Sequence, residues 1–254
     1  MNTPTTDPLG MLHDVADAVA AALRGVTDWG PSGIRHDQYA ADLVADEAAL
    51  TVLRAAGVGV LSEESGIEHP NRPWMVVVDP LDGSTNASQG IPWYATSLCL
   101  VDGDGMLAAV VVNQASGVRF WAQRGGGAFC DGRPMQPSAQ QSLRDSIVVI
   151  SALPPAQPGW RQFRAMGACA LDLCAVADGV FDGFVDFGNN QHGVWDYLGG
   201  LLICREAGVP VVDAFDRELV VRDDLVRRTP VAAATLELHD QLLALRHRGL
   251  SAAE

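Results

Sequence analysis

The chain has 254 residues, of which 31 are acidic and 17 basic, giving a formal net charge of −14 at pH 7. All the basic residues are arginines, since the sequence contains no lysine. Such acidity repels nucleic-acid phosphates and argues against a nucleic-acid binder. It suits an anionic ligand only if cations stand between carboxylate and anion. A hydrophobic share of 48% suffices for a substantial core. No apolar run approaches the ~20 residues that span a bilayer, so a soluble protein with no membrane partner is expected. The amino-terminal stretch MNTPTTDPLG has neither a basic start nor an apolar h-region, which argues against a secretion signal. Cys99, Cys130, Cys169, Cys174 and Cys204 are odd in number and lack C-x-x-C spacing. They read as buried, reduced thiols of a cytoplasmic protein rather than as a structural zinc site.

Residues 1–10, rich in Thr and Pro, predict a loose leader. Leu12, Val15, Ala16, Val19, Ala20 and Leu23 then follow helical spacing, ending near Gly25. WGPSGIRHDQYA reads as a loop, and 40–56 as a helix on composition, stopped by Gly57. Val58–Leu61 is a short strand candidate; Trp74–Asp79 (WMVVVD) is a stronger, buried one. Ala95–Val101, Leu107–Asn113 and Val118–Gln123 predict an antiparallel meander, with turns at Asp102-Gly103 and Ser116-Gly117. Asp131-Gly132 marks one more hairpin. Ile147–Ser151 is expected as a strand and Leu153–Gly159 as a Pro-rich loop. A helix at Ala168–Ala177, a strand at Gly183–Phe187 and a helix at Trp195–Ala207 follow. That last helix is apolar on nearly every face, so it should be buried. Strands at Val209–Asp213, Leu219–Arg222 and Val231–Ala234 precede a closing helix with Leu238, Leu242 and Leu245 on one face. With no linker and no repeat, the pattern predicts one α+β unit, 1–254, in two halves of about 11–150 and 151–250.

Three acidic elements carry the chemistry: SEESG at 62–66, DPLDGSTN at 79–86 and WDYLGG at 195–200. Asp79 leaves a buried strand at its C-terminal end, Pro80 stiffens the exit, and Asp82 can face back toward Asp79. Two carboxylates held so closely repel, and a divalent cation relieves them. The Leu81 carbonyl is a further hard oxygen. Gly83-Ser84-Thr85 then turns the chain and frees backbone N–H groups for phosphate. Alone, D-P-x-D-G is more often a surface turn, Glu63-Glu64 a solvated pair, and Asp196 a helix N-terminal residue. Together, and with no His or Cys among them, they form an all-oxygen set suited to Mg2+, Mn2+ or Ca2+.

These elements, with GGGAFCDGRPM at 125–135 and GACALDLCAVADGVFDGFV at 167–185, resemble the signatures of the inositol monophosphatase family of lithium-sensitive phosphatases. The resemblance runs from the helix at 40 to the strand near 232. It implies an α+β fold, a layered αβαβα sandwich of the sugar-phosphatase type, usually assembled as a homodimer. It implies a Mg2+ cofactor, two or three ions per site, hydrolysing a small-molecule phosphate monoester. Glu63, Asp79 and the Leu81 carbonyl match the ligands of one ion; Asp79, Asp82 and Asp196 match those of a second, with Asp79 bridging. Glu64 matches a position near a third, more weakly held ion. Gly83, Ser84 and Thr85 match the phosphate-binding segment, and Asp42 with Ser84 the pair that helps activate the attacking water. Asp186 matches a position that binds substrate hydroxyls; Gly167 and Cys169 fall where small residues line the alcohol pocket, although simple packing also accounts for Cys169. The implied chemistry is in-line attack of activated water on phosphorus, with no phosphoenzyme.

The sequence departs from the family in DQYAAD, where Tyr39 stands in place of a small hydroxyl and only Arg35 or His36 offers an upstream base. FGNNQHGVW, before Asp196, is longer than in animal inositol monophosphatases. Inositol monophosphate is the first expected substrate. Histidinol phosphate, fructose 1,6-bisphosphate and the 3′-phosphate of a bisphosphorylated nucleoside are alternatives, although no cationic partner for a second phosphate is evident. A non-catalytic relative is the reading from another class, and the retained Glu63, Asp79, Asp82 and Asp196 weigh against it.

Overall fold

The computed structural model describes residues 7–154 and 158–251. Residues 1–6 of the expected leader and 155–157 of the expected Pro-rich loop lie outside the described residues. Two helices open the chain, α1 (Pro8–Leu23) and α2 (Ala40–Ala56). Asp7 caps α1 by accepting from Leu9 N at 3.2 Å, and Pro8 takes a first-turn position where a missing N–H is harmless. Pro8, Leu9 and Gly10 are therefore helical, against the expectation of a leader to residue 10. α2 stops on Gly57, whose φ of 71° is left-handed.

Next come β1 (Gly59–Ser62), β2 (Gly66–Glu68), β3 (Met75–Asp82), the short α3 (Ser84–Ser88), β4 (Ala95–Asp102), β5 (Gly105–Asn113), β6 (Arg119–Gln123), β7 (Gly127–Cys130) and β8 (Arg133–Pro134). They form a sheet in the order β2-β1-β3-β4-β5-β6-β7-β8, in which only β1 and β3 run parallel. The second sheet takes β9 (Ile147–Ser151), β10 (Gln162–Arg164), β11 (Gly183–Asp186), β12 (Val211–Asp213) and β13 (Pro230–Ala233) in the order β10-β9-β11-β13-β12. α4 (Cys169–Ala177), α5 (Val194–Glu206) and α6 (Leu236–Ser251) complete the chain.

Strand alternation separates three layers of core. Val76 and Val78 of β3 pack with α1 and α2, while Met75 and Val77 face α4 and α5. Across the second sheet, Val149 and Phe184 join that middle layer, whereas Val148, Ile150 and Val185 meet Leu238 and Leu242 of α6. The order is helices, sheet, helices, sheet, helix: the αβαβα sandwich. α5 is buried along nearly its whole length, as its all-apolar faces predict. Gly199 and Gly200 permit this, since a Cβ on them would lie 2.7 Å from Ser97 Oγ and from Leu173 Cβ respectively.

Three features differ from expectation. β2 and β10 carry no strand signal in the sequence, being three residues each with no apolar alternation. Leu219–Arg222 is not a strand. Leu219 is buried and its carbonyl accepts from Tyr197 Oη at 2.9 Å, while Val220 N is taken by Glu218 Oε1, so the segment anchors through Leu219 without a ladder. On α6, Leu245 is only half-buried, whereas Arg246 is buried. Its guanidinium donates to Asp186 O at 2.7 Å, to Gly188 O at 2.8 Å and to Asn189 Oδ1.

Candidate active site

The site begins where β3 leaves its sheet. Asp79 pairs with Ser97 and Asp82 with Ala95, so Pro80 and Leu81 stand opposite Thr96 alone, a bulge that redirects Asp82. Two hydrogen bonds fix it: Leu81 N donates to Asp79 Oδ1 at 3.0 Å, and Thr96 Oγ1 to Pro80 O at 2.9 Å. Gly83 follows with φ 82° and ψ 34°. A Cβ there would lie 3.0 Å from Trp93 O and 3.1 Å from Ala168 Cβ, so both conformation and space demand glycine. Ser84 and Thr85 then open α3.

Glu63 follows β1, whose parallel partner is β3, and Glu63 N donates to Val78 O at 3.2 Å. Behind it Ser62 Oγ donates to Asp46 Oδ1 at 2.6 Å, tying the SEESG segment to α2. Glu64, on the same cavity, accepts from both Arg35 and Gln38. Asp196 comes from the first turn of α5, where its Oδ2 accepts from Gly193 N at 2.8 Å, the favoured place for a carboxylate on a helix.

Glu63, Asp79 and Asp196 each bring a carboxylate oxygen to within 4.8 Å of the others. Asp82 stands beside this trio with Oδ2 turned to Ala170 N at 2.8 Å. Burial first, then Asp196 and Glu64, push the Glu63 carboxyl up to about 8. Burial, with Glu63 and Asp82 next, raises Asp79 well above the carboxylate range; burial and Asp196 do the same to Asp82. Arg35, on the cavity beside them, is engaged by Glu64. This is a buried excess of negative charge presented by oxygen ligands, and it fits a hard divalent cation. Leu81 is buried at the same bulge.

On α2, Asp42 accepts from Tyr39 N at 2.7 Å through Oδ2. Burial pushes its carboxyl up to about 7, with Glu64 adding to the rise and the neighbouring Ser84 hydroxyl opposing it. Asp42 Oδ1 closes no hydrogen bond. Tyr39 reaches Thr85 with its own hydroxyl, 3.1 Å from Oγ1. A cavity of about 530 Å3 opens in front of Glu63, Asp42 and Ser84.

A second cavity, about 200 Å3, is lined by Asp82, Asp196, Gly167, Cys169, Asp172 and His192. Gly167 and Cys169 thus line a cavity shared with Asp82 and Asp196. Burial raises the Cys169 thiol well above its usual value, so it serves as packing. Asp186 lines neither cavity. It is fully buried, accepts from Gly188 N at 2.7 Å, and holds an unpartnered Oδ2 3.8 Å from His192 Nε2. His192 Nδ1 sits 3.3 Å from Asp196 Oδ2, while its Nε2 closes no hydrogen bond.

Four neighbours of the site were not singled out in the sequence: Asp46, Asp172 (inside the 167–185 element), His192 and Arg227. Asp46 lies one helical turn after Asp42, a spacing that places both on one face. Asp172 accepts from Trp93 Nε1 at 2.8 Å, and burial pushes its carboxyl up to about 8. His192 sits in FGNNQHGVW, whose length alone sets that segment apart. Arg227 had no sequence signal.

The family model described as "Inositol monophosphatase family" matches residues 33–251. A fructose-1,6-bisphosphatase/inositol-1-monophosphatase of Archaeoglobus fulgidus is 34% identical over 250 residues, covering 94% of this chain and 98% of the relative. An inositol-1-monophosphatase of Caulobacter vibrioides is 31% identical over 80% of this chain and 84% of its own. Among solved structures, the extragenic suppressor protein suhB of Bartonella henselae superposes with a TM-score of 0.79 at 27% identity, covering 95% of this chain and 98% of that one. A Pyrococcus horikoshii protein with similarities to inositol-1 monophosphatase gives 0.80 at 24% identity over 93% and 95% of the two chains, a likeness of fold. The chain belongs to the inositol monophosphatase family and is a phosphatase that hydrolyses phosphate monoesters.

Proposed function

We propose that the chain hydrolyses a small polyol phosphate, inositol monophosphate first, with Mg2+ held by Glu63, Asp79, Asp82, Asp196 and the Leu81 carbonyl. The observation that carries this reading is the convergence of Glu63, Asp79 and Asp196 within 4.8 Å, with no cationic side chain among them. Two or three Mg2+ ions bound there supply Lewis-acid activation of water and charge stabilisation on the leaving oxygen. The chain's own residues do the rest. Ser84 Oγ orients the attacking water, and Asp42, with its free Oδ1 and a carboxyl near 7, accepts the proton through it. Gly83, Ser84 and Thr85 hold the phosphoryl oxygens, while Gly167 borders the alcohol side with Cys169 packed beside it. Asp186, expected to bind substrate hydroxyls, is buried away from both cavities and takes no such role. A cytoplasmic homodimer is part of the same proposal.

The A. fulgidus relative carries a double description, which favours fructose 1,6-bisphosphate as the second reading. The test is phosphate release from inositol 1-phosphate, histidinol phosphate, fructose 1,6-bisphosphate and adenosine 3′,5′-bisphosphate, each with Mg2+, with chelator and with lithium. Metal-dependent turnover of one compound names the substrate. A folded, Mg2+-binding protein silent on all four counts against the polyol reading and revives the non-catalytic one.

A further inference from the structure

The cavity in front of Glu63 has a cationic wall. Arg227, from the segment between β12 and β13, lines it with Trp195, Asp42 and Ser84. The guanidinium carbon lies 4.8 Å from the centre of the Trp195 ring, so the planar group rests on the indole that directly precedes Asp196. Of the five guanidinium N–H donors, only those on Nη1 are used: they donate to Asp224 O at 2.7 Å and Val226 O at 3.2 Å. Among the described residues, no carboxylate forms an ion pair with Arg227, and Nε and Nη2 meet no protein acceptor.

This is unusual for an arginine in so acidic a site. Arg35, on the same cavity, is already committed to Glu64. Asp37 and Asp224 also line the cavity, yet Asp224 meets Arg227 through its carbonyl and leaves the fork unpaired. A stacked guanidinium with its Nε and Nη2 edge open is the geometry that takes two oxygens of a phosphoryl group. At about 530 Å3 the cavity lies in the range that encloses a ligand well beyond one phosphate.

We propose that Arg227 is the subsite for a second phosphoryl group, borne on the same carbon skeleton as the ester that is cleaved. Arg227 is then the residue that selects the bisphosphate, already the second reading above, over a monophosphate. This rests on the phosphatase site proposed above and adds to it the recognition of a group that does not react.

The test compares fructose 1,6-bisphosphate with fructose 1-phosphate, which differ only in the second phosphoryl group. Arg227→Met keeps an apolar stem on Trp195 and removes the fork; Arg227→Lys keeps the charge alone. The kcat/KM ratio of bisphosphate to monophosphate should fall about tenfold or more in Arg227→Met, chiefly through KM, and less in Arg227→Lys. An unchanged ratio in the Met variant overturns the subsite. Calorimetry of both compounds on Asp82→Asn protein in Mg2+, with and without Arg227→Met, reads binding without turnover. If the wild-type chain hydrolyses neither compound, fructose 1,6-bisphosphate fails as the substrate, while the phosphatase site itself is judged on the four-compound panel above. The calorimetric preference for the bisphosphate, lost or kept on removing Arg227, then decides the subsite independently.

Discussion

Tyr39 donates its phenolic hydroxyl to Thr85 Oγ1 at 3.1 Å, a contact across 46 residues of sequence. The same residue donates its backbone N–H to Asp42 Oδ2, so it braces Thr85 and Asp42 together. A large side chain here carries a hydroxyl to the site from further away than a small one. Tyr39→Phe should lower kcat/KM by about fivefold, the worth of one hydrogen bond, while leaving the melting temperature nearly unchanged. Steady-state kinetics beside a thermal melt checks this; wild-type kinetics in the variant would leave the contact without a role.

Asp82 is buried and holds Ala170 N, an interaction an amide oxygen preserves. Asp82→Asn should therefore fold, and without metal should melt higher than wild type because one repelling carboxylate is gone. Turnover should fall by orders of magnitude, since a hard anionic ligand is lost. Full activity in this variant would remove the basis of the metal assignment.

Ser84 stands beside Asp42 and on the cavity. Ser84→Ala should lower kcat far more than it weakens Mg2+ binding measured by calorimetry. The proton-relay role is falsified if only the metal affinity moves.

Gly83 combines φ 82° with a Trp93 carbonyl oxygen 3.0 Å from where a Cβ would stand. Gly83→Ala should cost about 1–3 kcal/mol of stability by denaturant titration and should reduce activity by displacing Ser84. A neutral alanine would mean the turn relaxes easily.

The buried carboxyls give the metal-free protein a signed pH dependence. Glu63 rises from 4.5 to about 8 and Asp42 from 3.8 to about 7. The folded chain then retains protons that the unfolded chain has released. Their contribution is full below the unfolded values and is lost as pH rises through 7 to 8. In chelator, the melting temperature should fall between about pH 5 and about pH 9; saturating Mg2+, which displaces those protons, should flatten the fall. A chelated protein that melts higher at alkaline pH would show that the carboxylates do not strain one another.

The converging carboxylates were legible because each lies in a short local motif whose chain geometry restricts its side chain: the β3 exit, the SEESG turn, the first turn of α5. The meander was legible for the same reason, through alternation and Gly turns. What escaped was set by contacts through space. Asp46 and Asp172 are ordinary helix residues until Ser62 and Trp93 find them. Arg227 acquires its place only when a loop from near the end of the chain lands on Trp195. Leu219–Arg222 has a strand's composition, yet Tyr197 takes its carbonyl and no partner strand reaches it. β10 lacked any pattern and exists because β9 offers it an edge.

The middle helix layer has a consequence for how the molecule comes together. Asp196 is carried by α5 and Asp82 is braced by α4, whereas Glu63 and Asp79 belong to the first sheet. No partially folded species lacking that layer owns the whole of the proposed ligand set, so such species should be blind to the ion. Mg2+ should then act as a latch on the finished molecule, slowing its unfolding without hastening the early steps of its folding.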